Sequence, residues 1–245
     1  MNLKKIAFLI IQKFKKVFEL FFPGYYSPNC KAVKKIIERN NLSIDSVYDI
    51  GCFIGGWLKE RKKTFPKNTN FYLFDAQNLL SCKKFSKNVT FFNAVLGERD
   101  GFEVEFYQWK NGGSGSSYFK ELGNTLWDEI KPKKVKTESL YSFIKKNNLQ
   151  LPNYLKIDTQ GTELEILRGM GDFIRSKNLY FIELEISLYR INEEAPLINE
   201  IIEYMYKNKY VLISVEQLPI VEYFQEKKLV QLNGVFTQQS LVTTK

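Results

Sequence analysis

The spacing of apolar and polar positions along this chain changes several times, and each change marks an element. In residues 3–22, Leu3, Ile6, Ile10, Phe14, Val17 and Phe21 recur at three- and four-residue intervals, with Lys4, Lys5, Lys15, Lys16 and Glu19 on the other face. That spacing predicts an amphipathic helix with a broad apolar stripe. Its longest apolar run, residues 6–11, is too short to span a bilayer. Lysines return at once and no small-residue cleavage site follows, so a signal peptide is not expected. Two readings stand side by side: a helix packed on the domain or on a second subunit, and an interfacial helix lying on anionic lipid. Pro23-Gly24 breaks it, and a second helix is expected over 29–40.

From residue 46 the texture differs. Short, mostly apolar runs at 46–50, 70–74, 89–92, 154–157 and 179–186 read as strands buried on both faces. Helices are expected at 56–65 (stopped by Pro66), 139–147, 162–175 and 195–208, the last with Pro196 in its first turn. Strands separated by helix-length segments indicate βαβ units and a parallel sheet. The middle is irregular: 102–109 alternates apolar and acidic residues as a half-exposed strand, 134–137 is its return, and 111–117 is a Gly/Ser loop. Two strands without a helix between them, 211–215 and 230–236, form an expected antiparallel pair. The organisation is therefore a helical extension over 1–42 and one α/β domain over 43–245.

Composition narrows the chemistry. The 245 residues include 20 Phe and 14 Tyr, ample for one core but cramped for two domains. Cys30, Cys52 and Cys82 form no CxxC pair, which argues against a zinc cluster or disulfide framework and suits a reducing cytosol. No histidine occurs, so Ser-His and Cys-His triads, His-ligated metals and imidazole bases are excluded. The net charge of +9 is uneven: residues 1–40 hold nine Lys/Arg against two Glu.

Asp49-Ile-Gly51-Cys-Phe-Ile-Gly55 follows the first strand, where glycines permit tight turns and close ligand approach. Phe53 stands where a G-x-G-x-x-G fingerprint needs glycine, so a pyrophosphate would be poorly held. Asp75 ends the second strand, where a carboxylate accepts ribose hydroxyls; helix capping is the alternative use of such a residue. A glycine loop without a pyrophosphate cradle, joined to this acid, fits a phosphate-free adenosine ligand such as S-adenosylmethionine. Asp158 closes a central strand ahead of Gly161 and faces the same crevice. Lys156 lies on its face of the strand and is expected to snorkel to solvent.

With these residues in view, the chain resembles the FkbM-type methyltransferases, S-adenosylmethionine enzymes of polysaccharide and natural-product pathways. The resemblance covers about 45–236 and rests on Asp49/Gly51/Gly55, on Asp75, and on Asp158/Gln160/Gly161/Glu163/Leu167/Gly169. It implies a Rossmann-like class I fold, a seven-stranded mostly parallel sheet with helices on both faces and one antiparallel strand. It also implies that Asp49, Gly51 and Gly55 border the methionine end of the cofactor, Asp75 takes the ribose, Asn93 lies near adenine, and Asp158 sits beside the reacting methyl. Gln160 replaces the family's commoner Glu, and Cys52-Phe53 a commoner Ala-Asn.

The expected reaction is methyl transfer to a hydroxyl of a sugar, glycan or related natural product. In-line displacement needs alignment and a dry site, and a hydroxyl acceptor needs a base. Asp158 is the first candidate base and Glu183 the second, Glu185 sharing the face of Glu183. The Gly112–Ser117 loop either closes over substrate or is a plain flexible turn, and Trp57, Tyr107, Trp109 and Tyr118 are candidates to stack on a sugar. The rivals are an RNA methyltransferase, disfavoured because no Asn/Asp-Pro-Pro-Tyr/Phe motif occurs, and a membrane-associated scaffold that kept the fold. A cytoplasmic protein is expected, with no nucleic-acid partner; peripheral membrane contact through residues 1–22 stands as the alternative to packing of that helix on the domain or a second subunit.

Overall fold

The computed structural model describes residues 27–243 except 82, 109–112, 123–128, 219–220 and 224–225. The helix expected over residues 3–22 lies outside the described residues. Helix α1 (Pro28–Asn40) begins where Ser27 accepts the Cys30 amide hydrogen and Pro28 presets the first turn, and it ends at left-handed Asn41. It packs on strands β6 (Tyr210–Gln217) and β7 (Gln231–Gln238).

The remaining strands of the main sheet are β1 (Ser46–Ile50), β2 (Asn70–Asp75), β3 (Val89–Asn93), β4 (Tyr154–Ile157) and β5 (Phe181–Ser187). Their order is β3-β2-β1-β4-β5-β7-β6, seven strands in which β7 runs antiparallel to both β5 and β6. This is a doubly wound, Rossmann-like sheet with one antiparallel strand. The chain builds outward from β1 to β3 and then restarts at β4 on the other side, so the connections diverge between β1 and β4. Such a switch point opens a crevice at the carboxyl edge, where α/β sheets hold ligands.

Both faces are covered. Val47, Phe71, Leu73, Tyr154 and Phe181 bury one face against α1 and α2 (Gly56–Arg61). Tyr48, Ile50, Leu155, Ile157 and Ile182 bury the other against α3 (Leu140–Lys146), α4 (Glu163–Arg168) and α5 (Ile198–Lys207).

Three elements differ from expectation for identifiable reasons. The helix expected over 162–175 stops at Gly169, where a β-carbon would lie 2.1 Å from the Gly97 carbonyl oxygen. Gly171 is left-handed (φ +53), and a 3-10 turn, Gly171–Arg175, completes the segment. The helix expected from 195 starts at Ile198 instead, because Leu197 bridges Ser187 and Glu200 caps the Leu197 amide at 2.9 Å; Pro196 lies ahead of it. The helix-length segment between β2 and β3 forms turns and loop at 76–81 and 83–88. No helix among the described residues is long and apolar enough to cross a membrane.

Candidate active site

The crevice is built on close backbone contact. Asp158 donates its amide hydrogen to the Ile50 carbonyl at 3.0 Å, and Gly51, at φ +75, sits against the Asp158 carbonyl. A β-carbon on Gly51 would lie 1.8 Å from that oxygen, so only glycine lets the β1 and β4 loops meet here. Gly51 and Cys52 both donate to the Phe74 carbonyl, at 2.9 and 3.1 Å, which ties the first loop to β2. Gly55, also left-handed, starts α2.

Asp75 clamps two loops. One carboxylate oxygen accepts the Phe53 amide at 2.6 Å and the other the Gln77 amide at 2.7 Å. Each oxygen keeps a lone pair for a second donor. Burial raises its pKa, and these two amide bonds oppose the shift. Asn93 is exposed and donates to the Asp75 and Ala76 carbonyls at 2.9 and 3.0 Å. It braces the loop after β2 from outside, while Ala94, Val95, Leu96 and Phe106 form the cleft wall beside Asp75.

At the centre, Lys156 is 5 % exposed and does not snorkel. Its ammonium lies 3.1 Å from Asp49 and 3.2 Å from Asp158, and donates to the Gly51 carbonyl at 3.3 Å. The sequence pattern could not distinguish these outcomes, because a lysine one step inside a strand end reaches solvent unless carboxylates surround it. Burial opposes its charge, but Asp158 and Asp49 outweigh burial and raise its pKa, so Lys156 is cationic. Asp49 is fully buried; burial raises its pKa and Lys156 offsets this only in part. Lys156 is its one polar partner among the described residues, and neither Asp49 oxygen has hydrogen-bond geometry.

Asp158, with its side chain one-third exposed, faces the cleft. Gln160 is left-handed (φ +58), a conformation that a non-glycine residue keeps at some cost. Its amide spans two carboxylates, donating to Asp158 at 3.2 Å and Glu185 at 2.9 Å, and Gln231 donates to Glu185 at 2.8 Å. Glu163 folds back to accept the Thr159 and Gly161 amides at 2.8 and 3.1 Å, which shapes the turn after Asp158.

Glu183 is elsewhere. It is buried, accepts the Tyr154 hydroxyl, and does not line the cleft. Burial raises its pKa, offset by Arg61. The carboxylate joined to Asp158 is Glu185, two positions on. Trp57 packs between Phe65 and Tyr154 in the core, and Tyr107 lies outside the cleft wall; Trp109 is outside the described residues. Tyr118 does line the cleft, with its hydroxyl donated to Glu165.

Residues 113–122 roof the cleft as a strap. Gln77 holds one end, donating to and accepting from Gly113 at 2.9 and 3.3 Å. Lys120 and Leu122 fasten the other end to Glu193 and Ile191, each at 2.7 Å. Ser114, Ser116 and Ser117 thereby line the cleft. Gln77 escaped the sequence reading; the 112–117 loop is expected there either to close over substrate or to be a plain turn, Glu185 only shares the face of Glu183, and Gln160 is only a departure from the family motif.

The pKa of Glu185 is raised well above the usual carboxyl range by burial and by the neighbouring Asp158 and Glu163 charges. A raised folded-state pKa means that the folded protein binds the extra proton. Stability therefore falls as pH rises from about 4.3, the unfolded Glu value, to the folded pKa. Glu185→Gln removes this loss. Thermal melts should show the variant above wild type at pH 8, the gap closing toward pH 4; identical profiles would show that Glu185 is unperturbed.

A switch-point crevice with a glycine floor, an acid at the end of β2 and apolar walls is a setting in which α/β folds hold nucleoside-bearing ligands. Residues 56–212 match the Methyltransferase FkbM domain, and the chain belongs to that family. It is a methyltransferase, and its cofactor is S-adenosylmethionine. No curated protein matches the chain significantly. Among solved structures, it resembles precorrin-6y C5,15-methyltransferase from Geobacter metallireducens (14 % identity, 84 % of this chain and 86 % of that one, TM-score 0.44). Others are magnesium protoporphyrin IX methyltransferase from Synechocystis with bound cofactor (11 %, 85 % and 76 %, TM-score 0.43) and 1,6-didemethyltoxoflavin-N1-methyltransferase from Burkholderia thailandensis (9 %, 97 % and 91 %, TM-score 0.39). None of these likenesses assigns an acceptor.

Proposed function

We propose that the protein transfers the methyl group of S-adenosylmethionine to a hydroxyl of a small sugar, glycan or related natural product. The observation that carries this reading is the Asp158 carboxylate, in the cleft beneath three strap serines and held in place by Lys156 and Gln160. Bound cofactor supplies an electrophilic methyl. The residues of this chain align the acceptor, exclude water, and at Asp158 take the hydroxyl proton. The strap hydroxyls suit an acceptor rich in oxygen. Gly51 and Gly55 border the methionine end in this reading, Asp75 takes the ribose hydroxyls with its remaining lone pairs, and Asn93 acts by holding the adjoining loop. Incubation with labelled cofactor and a panel of glycans, nucleotide sugars, lipids and RNA tests the acceptor class. Transfer to a nitrogen or carbon acceptor alone refutes it.

Cofactor binding is separable from acceptor identity. Asp75→Ala removes a charged acceptor and frees the Phe53 and Gln77 amides, so S-adenosylhomocysteine affinity should fall by about 1.5–3 kcal/mol. Titration calorimetry reads this directly, and unchanged affinity would remove the ribose role.

A further inference from the structure

Away from the cleft, positive charge is concentrated a second time. Residues 59–87 carry eight Lys/Arg against Glu60 and Asp75, whereas residues 41–58 and 88–245 together are net −4. The structure brings Lys59, Lys62, Lys63, Lys83 and Lys87 to one surface, beside residues 83–88, which approach β3 as turn and loop. Two adjoining hollows share Lys83 and Phe85. One is lined further by Ile54, Leu58, Lys59, Lys62 and Lys63, the other by Lys87 and Phe91, and no carboxylate lines either.

Several lysines elsewhere are paired: Lys34, Lys134, Lys146 and Lys207 lie 2.7–3.8 Å from glutamates. The side chains of Lys59, Lys63, Lys84 and Lys87 have no ion pair or hydrogen bond among the described residues. Apolar side chains stand among them: Ile54 is 55 % exposed and Leu79 36 %. Apolar groups flanked by uncompensated lysines are what a contact with anionic lipid requires, since the lysines meet headgroup phosphates and the apolar groups enter the acyl boundary.

We propose that this face, formed by Ile54 and Leu79 with Lys59, Lys63, Lys83 and Lys87, docks on an anionic lipid surface. Of the residues that line the cleft, Phe53 directly precedes Ile54 and Gln77 lies two positions before Leu79, so docking brings the cleft mouth to the membrane. The contact is independent of the one expected for residues 1–22 and of which acceptor is methylated.

The test uses the full chain and flotation with vesicles of phosphatidylcholine, with and without phosphatidylglycerol. Wild type should float with the anionic vesicles at low salt and be released at high salt. Lys59→Gln/Lys63→Gln/Lys87→Gln should weaken partitioning on the order of 100-fold, and each single change roughly fivefold. Lys134→Gln/Lys207→Gln should change nothing. Melting temperature and S-adenosylhomocysteine binding of the triple variant should match wild type, since none of the three lysines touches the cleft. The proposal is overturned if the triple variant floats like wild type while Lys4→Gln/Lys5→Gln/Lys15→Gln/Lys16→Gln does not, because the contact then belongs to residues 1–22. It is overturned equally if wild type ignores phosphatidylglycerol, or if the triple variant loses only heparin or RNA retention.

Discussion

Replacing Asp158 by asparagine should lower turnover ~10²–10⁴-fold while most cofactor affinity is kept. Asparagine is nearly isosteric and can still accept from the Gln160 amide, so the turn at 158–161 has no steric reason to move. What is lost is the charge that takes the acceptor proton, and with no histidine in the chain no imidazole can substitute. Single-turnover kinetics with an identified acceptor, alongside calorimetry with S-adenosylhomocysteine, separates the two quantities. Retained turnover would eliminate the base role and turn attention to Glu185. Lost cofactor binding at unchanged melting temperature would instead make Asp158 a cofactor ligand.

The second large effect is expected at Lys156. Lys156→Met removes the counter-charge of a fully buried Asp49 and should destabilise the fold by about 3–5 kcal/mol, as breaking one side of a buried ion pair does. The pH dependence follows from sign. In wild type the raised Lys156 pKa means that its contribution is complete below about 10.4, the unfolded lysine value, and is lost only above it, so it is flat through neutrality. In the variant, Asp49 without its partner binds a proton on folding. Stability then falls as pH rises above about 3.9, the unfolded Asp value, and the deficit is larger at pH 8 than at pH 4.5. Asp49→Leu/Lys156→Met should recover part of the loss, because replacing both partners leaves no buried charge at Asp49. Urea melts across pH measure all three proteins. A deficit below 1 kcal/mol for the single variant would mean that water or a rearranged neighbour reaches Asp49.

Much of the sheet was legible because its signals are local. The runs at 46–50 and 154–157 are mostly apolar, as strands covered on both faces require, and both strands lie where the pattern put them. The closing strands were recognisable as antiparallel because no helix-length segment separates them. Elements set by distant partners were misjudged. Nothing near residue 169 announces that the Gly97 carbonyl will press against it, and nothing near residue 195 announces that Leu197 will bridge Ser187.

The candidate site divides along the same line. By itself the sequence determined the sheet class, the glycine loop, the family, and the exclusion of histidine chemistry. These depend on residue type and on spacing along one strand and its following turn. Only the tertiary structure decided that Lys156 is an internal counter-ion, that Glu185 rather than Glu183 joins Asp158, and that Gln77 fastens the strap. Glu183 and Glu185 share one face of β5 and are equivalent in pattern. What separates them is position along the strand: Glu183 lies beside Tyr154 and Arg61, Glu185 beside the carboxyl edge where Gln160 and Gln231 converge. A carboxylate's role follows from the donors and charges around it, and those come from segments far apart in the chain.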